Sequence, residues 1–229
     1  MSIYAYYLLF MMYSFIGWVV ETSFTFYKSK KFVNRGFLIG PYCPIYGWGC
    51  MAITILLKNF MSSPIVLFCM AIIICSILEY FTSYFMEKIF NTRWWDYSQK
   101  KFNINGRICL ETMIPFGILG TIVMYLVNPT LTKFVTNIPQ NTLKIISIII
   151  FIIFIIDNII SFGIVTKFTN NVKNVKNVKK DSTEDIKKYT KKLFETKNIL
   201  HKRLINAFPN VKAKLNNLRE EIKKRKNNE

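Results

Sequence analysis

The sequence predicts an all-α polytopic membrane protein: a bundle of about five transmembrane helices followed by a cytoplasmic amphipathic helical tail. Three observations carry that prediction. Long apolar segments recur through positions 1–166. The charge is unevenly spread, since residues 1–166 hold 6 acids and 12 bases and residues 167–229 hold 7 and 19, so the net +18 splits as +6 and +12. Finally, Lys and Arg gather in alternate loops, the pattern of a chain threaded back and forth through a bilayer. The chain therefore divides into a transmembrane domain, 1–166, and a basic linker with a helical tail, 167–229.

The first apolar segment, 3–27, has no basic leader and no small-residue cleavage site, so it is expected to stay as a helix. The second, 41–57, is short and carries Pro41, Pro44, Gly47 and Gly49. Segments 64–90, 108–127 and 143–165 complete the set. Each can cross a hydrocarbon core of about 30 Å at about 1.5 Å per residue, with 41–57 marginal. Lys28, Lys30, Lys31 and Arg35 follow the first segment, and Lys88, Arg93, Lys100, Lys101 and Arg107 follow the third. Lys58, Lys133 and Lys144 are all that the opposite loops hold. This alternation predicts the N-terminus outside, the tail inside, and residence in the cytoplasmic membrane.

In the tail, NVKNVKNVKK (171–180) reads as a solvated basic linker beside an anionic leaflet. Ile186, Tyr189, Leu193, Leu200 and Leu204 then share a helical face, Pro209 ends or kinks that helix, and Val211, Leu215, Leu218 and Ile222 follow at coiled-coil spacing. These helices could pair with each other, associate with a second copy, or lie on membrane lipids. No nucleic-acid-binding fold accompanies the basic residues, so nucleic acid is not an expected partner.

Five cysteines (Cys43, Cys50, Cys69, Cys75, Cys109) lie in or beside apolar segments without CxxC spacing, and the sole histidine, His201, is remote. Reduced packing thiols follow, with no metal and no cofactor expected. GxSxG, HExxH and Walker A sequences are missing, so the chain is not expected to be an enzyme or an ATPase itself.

Acids cost about 2.5–3.5 kcal/mol at the centre of a membrane helix. Glu21, Glu79, Glu111 and Asp157 nonetheless lie in or at the edges of apolar segments, all toward the predicted inner half. Asn34, Arg35 and Tyr46 fall at the same level, and Ser83 and Glu87 follow Glu79 on one helix face. The loop between the third and fourth segments adds Trp94, Trp95, Asp96, Tyr97, Asn103 and Arg107. Two readings stay open: ion pairs that fasten helices to loops, or a cytoplasm-facing pocket for a cationic, zwitterionic or phosphate-bearing ligand. In the second, Glu21, Glu79 and Glu111 supply negative charge, Arg35 and Arg107 hold an anion or the acids themselves, and Trp94 and Trp95 anchor the loop at the interface.

The stretches SFIGWVVE (14–21), NRGFLIGPYCPIYG (34–47), LEYFTSYFME (78–87), WWDYS (94–98) and FNINGRI (102–108) resemble, in this order, the CmpB-like family of ABC-transporter type IV permeases. The resemblance covers about half the chain. It implies a permease subunit working with a separate ATPase, and it singles out Glu21, Asn34, Arg35, Tyr46, Glu79, Glu87, Trp95, Asp96, Asn103 and Arg107. The expected function is thus a transporter-like protein that binds a small polar or lipid-like substrate. The alternative is a non-transporting scaffold that recruits a cytoplasmic partner through its tail.

Overall fold

The computed structural model describes residues 1–90 and 93–177 together with Arg203 and Ala207. Helix α1 (Ile3–Ser29) opens on Ser2, whose hydroxyl accepts the Ala5 amide at 3.4 Å, and closes on Lys30 in the left-handed region, φ 53°. Helix α2 (Pro44–Leu56) starts on a proline, whose missing N–H costs nothing at that position. A 3₁₀ turn leads to α3 (Pro64–Phe90). A two-residue hairpin, β1 (Asn103–Ile104) against β2 (Ile108–Cys109), hands the chain to α4 (Leu110–Ile122). A π-helical turn, Val123–Val127, joins α4 to α5 (Asn128–Thr136), and α6 (Gln140–Asn177) completes the described bundle.

Among the described residues four helices are long and apolar enough to cross a membrane: Ile3–Ser29, Pro64–Phe90, Leu110–Thr136 and Gln140–Thr166. Their outward faces are apolar, as Ile149, Ile152, Ile156 and Ile159 show on α6. The third of these, Leu110–Thr136, extends past the predicted 127 because Pro129 falls in the first turn of α5, where a proline is tolerated. Helix α6 continues to Asn177, so the first part of the basic repeat is helix and not the expected solvated linker. Nothing after Gly163 breaks it, and extending an existing helix is cheap. The predicted tail helices lie outside the described residues, Arg203 and Ala207 excepted.

The second predicted span differs most. Its helix has 13 residues, about 20 Å at 1.5 Å per residue, too short for a hydrocarbon core. It begins halfway along α1. The Cys43 amide donates to the Ser14 carbonyl at 2.9 Å, and a Cβ on Gly47 would stand 2.3 Å from Ser14 Oγ. A Cβ on Gly17 would likewise meet the Tyr46 ring at 2.3 Å, so these two glycines let α1 and α2 touch. Segment 34–43 is non-helical backbone sunk into the bundle, with Leu38 and Tyr42 packed on Phe10 and Met11.

Asp157 of α6 holds that segment. Its carboxylate accepts the Ile39 and Gly40 amides at 3.0 and 2.8 Å, the Tyr42 hydroxyl at 2.5 Å and the Ser161 hydroxyl at 2.8 Å. Asp157 is therefore spent on the fold and not on the expected cluster of acids. Charge-assisted hydrogen bonds are worth roughly 1.5–3 kcal/mol each, so Asp157→Ala is expected to cost on the order of 3 kcal/mol. For a chain of this size that lowers Tm by roughly 6–10 °C. Cys43, 6% exposed in the native protein, should then react with maleimide. Unchanged Tm with Cys43 still unlabelled would mean that other contacts hold the segment.

Candidate functional site

The polar residues collect where α1 and α3 end and α4 begins. Both basic loops reach this end: Phe37 of the first packs on Phe90 and Trp94 beside the second, with ring centroids 5.5 and 6.1 Å apart. Two charged stations lie along α3. Glu79 and Glu87 are two turns apart on one face, which separates them by about 12 Å along the axis.

The inner station takes one side chain from each of three helices. Glu21 (α1) accepts the Tyr46 (α2) hydroxyl at 2.6 Å on one oxygen, and Arg35 Nε stands 3.6 Å from the other. Tyr46 is placed by the small residue opposite it, Gly17. Glu79 (α3) is 7% exposed. The Tyr97 hydroxyl donates to Glu79 Oε1 at 3.4 Å, while Oε2 has no hydrogen-bond partner. Burial and then the nearby Glu79 push the Tyr97 hydroxyl well above its ordinary pKa, so it stays protonated as a donor. Among the described residues Glu79 makes no ion pair.

The outer station is neutralised. Arg107 Nη2 lies 2.9 Å from Glu87 Oε2, Nη1 donates to Ser83 Oγ at 3.3 Å, and the guanidinium rests over the rings of Tyr80 and Tyr84 at 5.7 and 5.4 Å. Arg93 adds a second cation to Glu87 at 3.2 Å and reaches Asp96 at 3.3 Å. The rest of the loop ties itself together. Asp96 accepts the Ser98 amide and hydroxyl, the Trp95 indole donates to the Arg107 carbonyl at 3.1 Å, and Asn103 accepts the Gly106 amide at 2.9 Å.

Four expectations need correction. Glu111 leaves the cluster: it stands on the outer side of α4's first turn and pairs with Lys100 at 2.8 Å, with most of its side chain exposed. Trp94 is no interface anchor, being 4% exposed and packed edge-on against Phe37 and Phe90. Asn34 is a loop latch, accepting the Trp18 indole at 2.7 Å and donating to the Ile39 carbonyl at 2.8 Å. The single pocket becomes two stations, because Arg107 serves Glu87 while Glu21 keeps Arg35.

Sequence reasoning missed Arg93, Tyr80 and Tyr84, although the tyrosines' spacing of four beside Glu87 was a readable signal. It also missed Arg203, which donates to the carbonyls of Gly36 at 2.9 Å and of Leu38; Arg35 donates to the Ala207 carbonyl. Nothing in the sequence marks these tail contacts. A groove of about 360 Å³ lies between α2 and α3, lined by Pro44, Ile45, Trp48, Ala52, Leu78 and Thr82.

Long apolar helices, a half-length helix starting mid-bundle and buried charges between them define a transporter-like membrane protein. Residues 8–162 match the family described as "Putative ABC-transporter type IV", and the chain belongs to that family. No curated protein and no solved structure matches it.

Arg107→Gln removes the Glu87 pair and the contacts with two tyrosines, leaving Glu87 to Arg93 alone. Hydrogen exchange across 93–109 is expected to rise at least tenfold, with the helices unchanged by circular dichroism; exchange like wild type would show that the loop does not depend on Arg107. The same loop carries a pH dependence. The Ser98 hydroxyl, with lesser help from its amide and Arg93, holds the Asp96 carboxyl below its usual range against the opposing effect of burial. A depressed carboxylate stabilises fully above its unfolded pKa, about 3.9, and that contribution fades as pH falls through the lower folded value. Protection of 96–107 should therefore hold at pH 5 and drop below pH 4, and Ser98→Ala should move the drop to higher pH.

Proposed function

We propose that this protein is a permease-like subunit of the cytoplasmic membrane, without catalysis of its own, in which Glu21, Tyr46 and Glu79 bind the cationic part of a small polar or lipid-like substrate. Both loops and the tail face the cytoplasm in this reading, consistent with the distribution of Lys and Arg. The family supports a separate ATPase as the energy source.

The observation that carries the reading is Glu79. A carboxylate buried between helices needs a matching cation or a full set of donors, and a fastening ion pair supplies both, as Arg107 does for Glu87. Glu79 takes a long hydrogen bond from Tyr97 and is approached by the Thr112 side chain, and its second oxygen has no hydrogen-bond partner. Arg35 serves Glu21, and among the described residues Glu79 has no ion pair.

The test is ligand-dependent thermal stability of the full chain in lipid nanodiscs, with tetramethylammonium and a panel of amines and polyamines as ligands. A ligand at 100 times its Kd adds about 2.7 kcal/mol, a rise of several degrees in Tm. At least one cation is expected to raise Tm in the wild type and none in Glu79→Gln, with unliganded Glu79→Gln as stable as the wild type. Equal shifts in both proteins, or no shift with any cation, overturns the reading. A non-transporting scaffold predicts no cation-dependent shift in either protein.

A further inference from the structure

We infer that the substrate is an amphiphile: a single-positive or zwitterionic headgroup at Glu79, carrying an alkyl chain that lies in the groove between α2 and α3. This rests on the cation-binding role of Glu79 proposed above and adds the chemical class of the ligand.

The groove and the inner station are built from the same turns of the same helices. Its α3 wall is Leu78 and Thr82, which flank Glu79 in sequence, Thr82 lying one turn further along. Its α2 wall begins at Pro44 and Ile45, directly before Tyr46, and continues through Trp48 and Ala52. Apart from the Thr82 hydroxyl the side chains lining it are apolar, so it offers a chain contact but no hydrogen-bonding pattern that would hold a sugar, a peptide or a free polyamine. Trp48, on its wall, is 63% exposed, so the groove opens sideways from the bundle.

Charge complementarity chooses the headgroup. Arg35 matches Glu21 while Glu79 has no cation paired with it among the described residues, whereas the outer station holds Arg93 and Arg107 against Glu87 and Asp96 and is balanced. An anionic lipid headgroup is disfavoured at the inner station and a cationic one is favoured. In a bilayer a chain entering the groove gains from close packing and not from leaving water, so it adds to the headgroup's affinity only as far as the groove fits it.

The experiment compares tetramethylammonium with dodecyltrimethylammonium on the full chain in nanodiscs, using the wild type, Ala52→Phe, which fills the groove, and Ala52→Leu, a milder filling should Phe fail to fold. Dodecyltrimethylammonium is expected to bind the wild type at least tenfold more tightly. The groove variants should lose most of that advantage while binding tetramethylammonium within twofold of wild type. A diazirine on the alkyl chain should label peptides containing Trp48, Ala52 or Leu78, and a neutral alkyl diazirine should not. If neither cation binds, the Glu79 reading itself has failed. If tetramethylammonium binds but the chain adds nothing, or the neutral alkyl label marks the groove equally, the amphiphile is overturned and Glu79 stands.

Discussion

A peptide group inside a membrane has to find its hydrogen-bond partner within the protein, and segment 34–43 is where this chain meets that requirement outside a helix. Asp157 takes the amides of Ile39 and Gly40, the Ser14 carbonyl takes that of Cys43, Asn34 serves the Ile39 carbonyl, and Arg203 serves those of Gly36 and Leu38. With those groups satisfied, α2 can begin in the middle of the bundle. Everything distinctive about the site follows from where α2 begins. Tyr46 comes level with Glu21, Gly47 fits against Ser14, and the first turns of α2 form one wall of the groove along α3.

The same constraint explains why the acids separate into different jobs. Buried carboxylates are stable when surrounded by donors or matched by a cation. Asp157 has four donors and Glu87 has two cations, so both are complete within the protein. Glu111 avoids the problem by facing outward to Lys100. Glu21 is nearly complete, with Tyr46 and Arg35. Glu79 alone among these five is left with an unsatisfied oxygen, and it belongs to the helix that also lines the groove.

Much of the architecture was legible because hydropathy and the placement of Lys and Arg are one-dimensional signals. Segment 64–90 becomes α3 with the same ends, 3–27 becomes α1 with two residues added, and 143–165 becomes α6 with three residues added before it and a continuation to 177. Pro41 and Pro44 stand where non-helical backbone gives way to α2, whereas Gly47 and Gly49 sit inside regular helix, and none of them signals a start halfway through the bundle. Helix rotation and backbone donors were not legible. Periodicity places Glu111 near a helix start but does not say that the hairpin before α4 turns it toward Lys100. The partners of Asp157 are main-chain amides, which no side-chain pattern announces. Which arginine serves which acid likewise depended on the path of loop 93–107, and so one pocket was expected where two stations stand.

A single neutralised pair and a single unneutralised carboxylate two turns apart have different physical consequences for a permeating charge. A cation moving along α3 from the loop end first passes Glu87, whose charge Arg93 and Arg107 already match. Among the described residues no Lys or Arg lines the groove between α2 and α3. Arg107 is held over Tyr80 and Tyr84 on the loop side, while the groove carries only the Thr82 hydroxyl. The electrostatics therefore favour a lateral route over one through the loops. A lateral route from the bilayer is open to a molecule that is already dissolved there, which is the property of an amphiphile and not of a water-soluble polyamine.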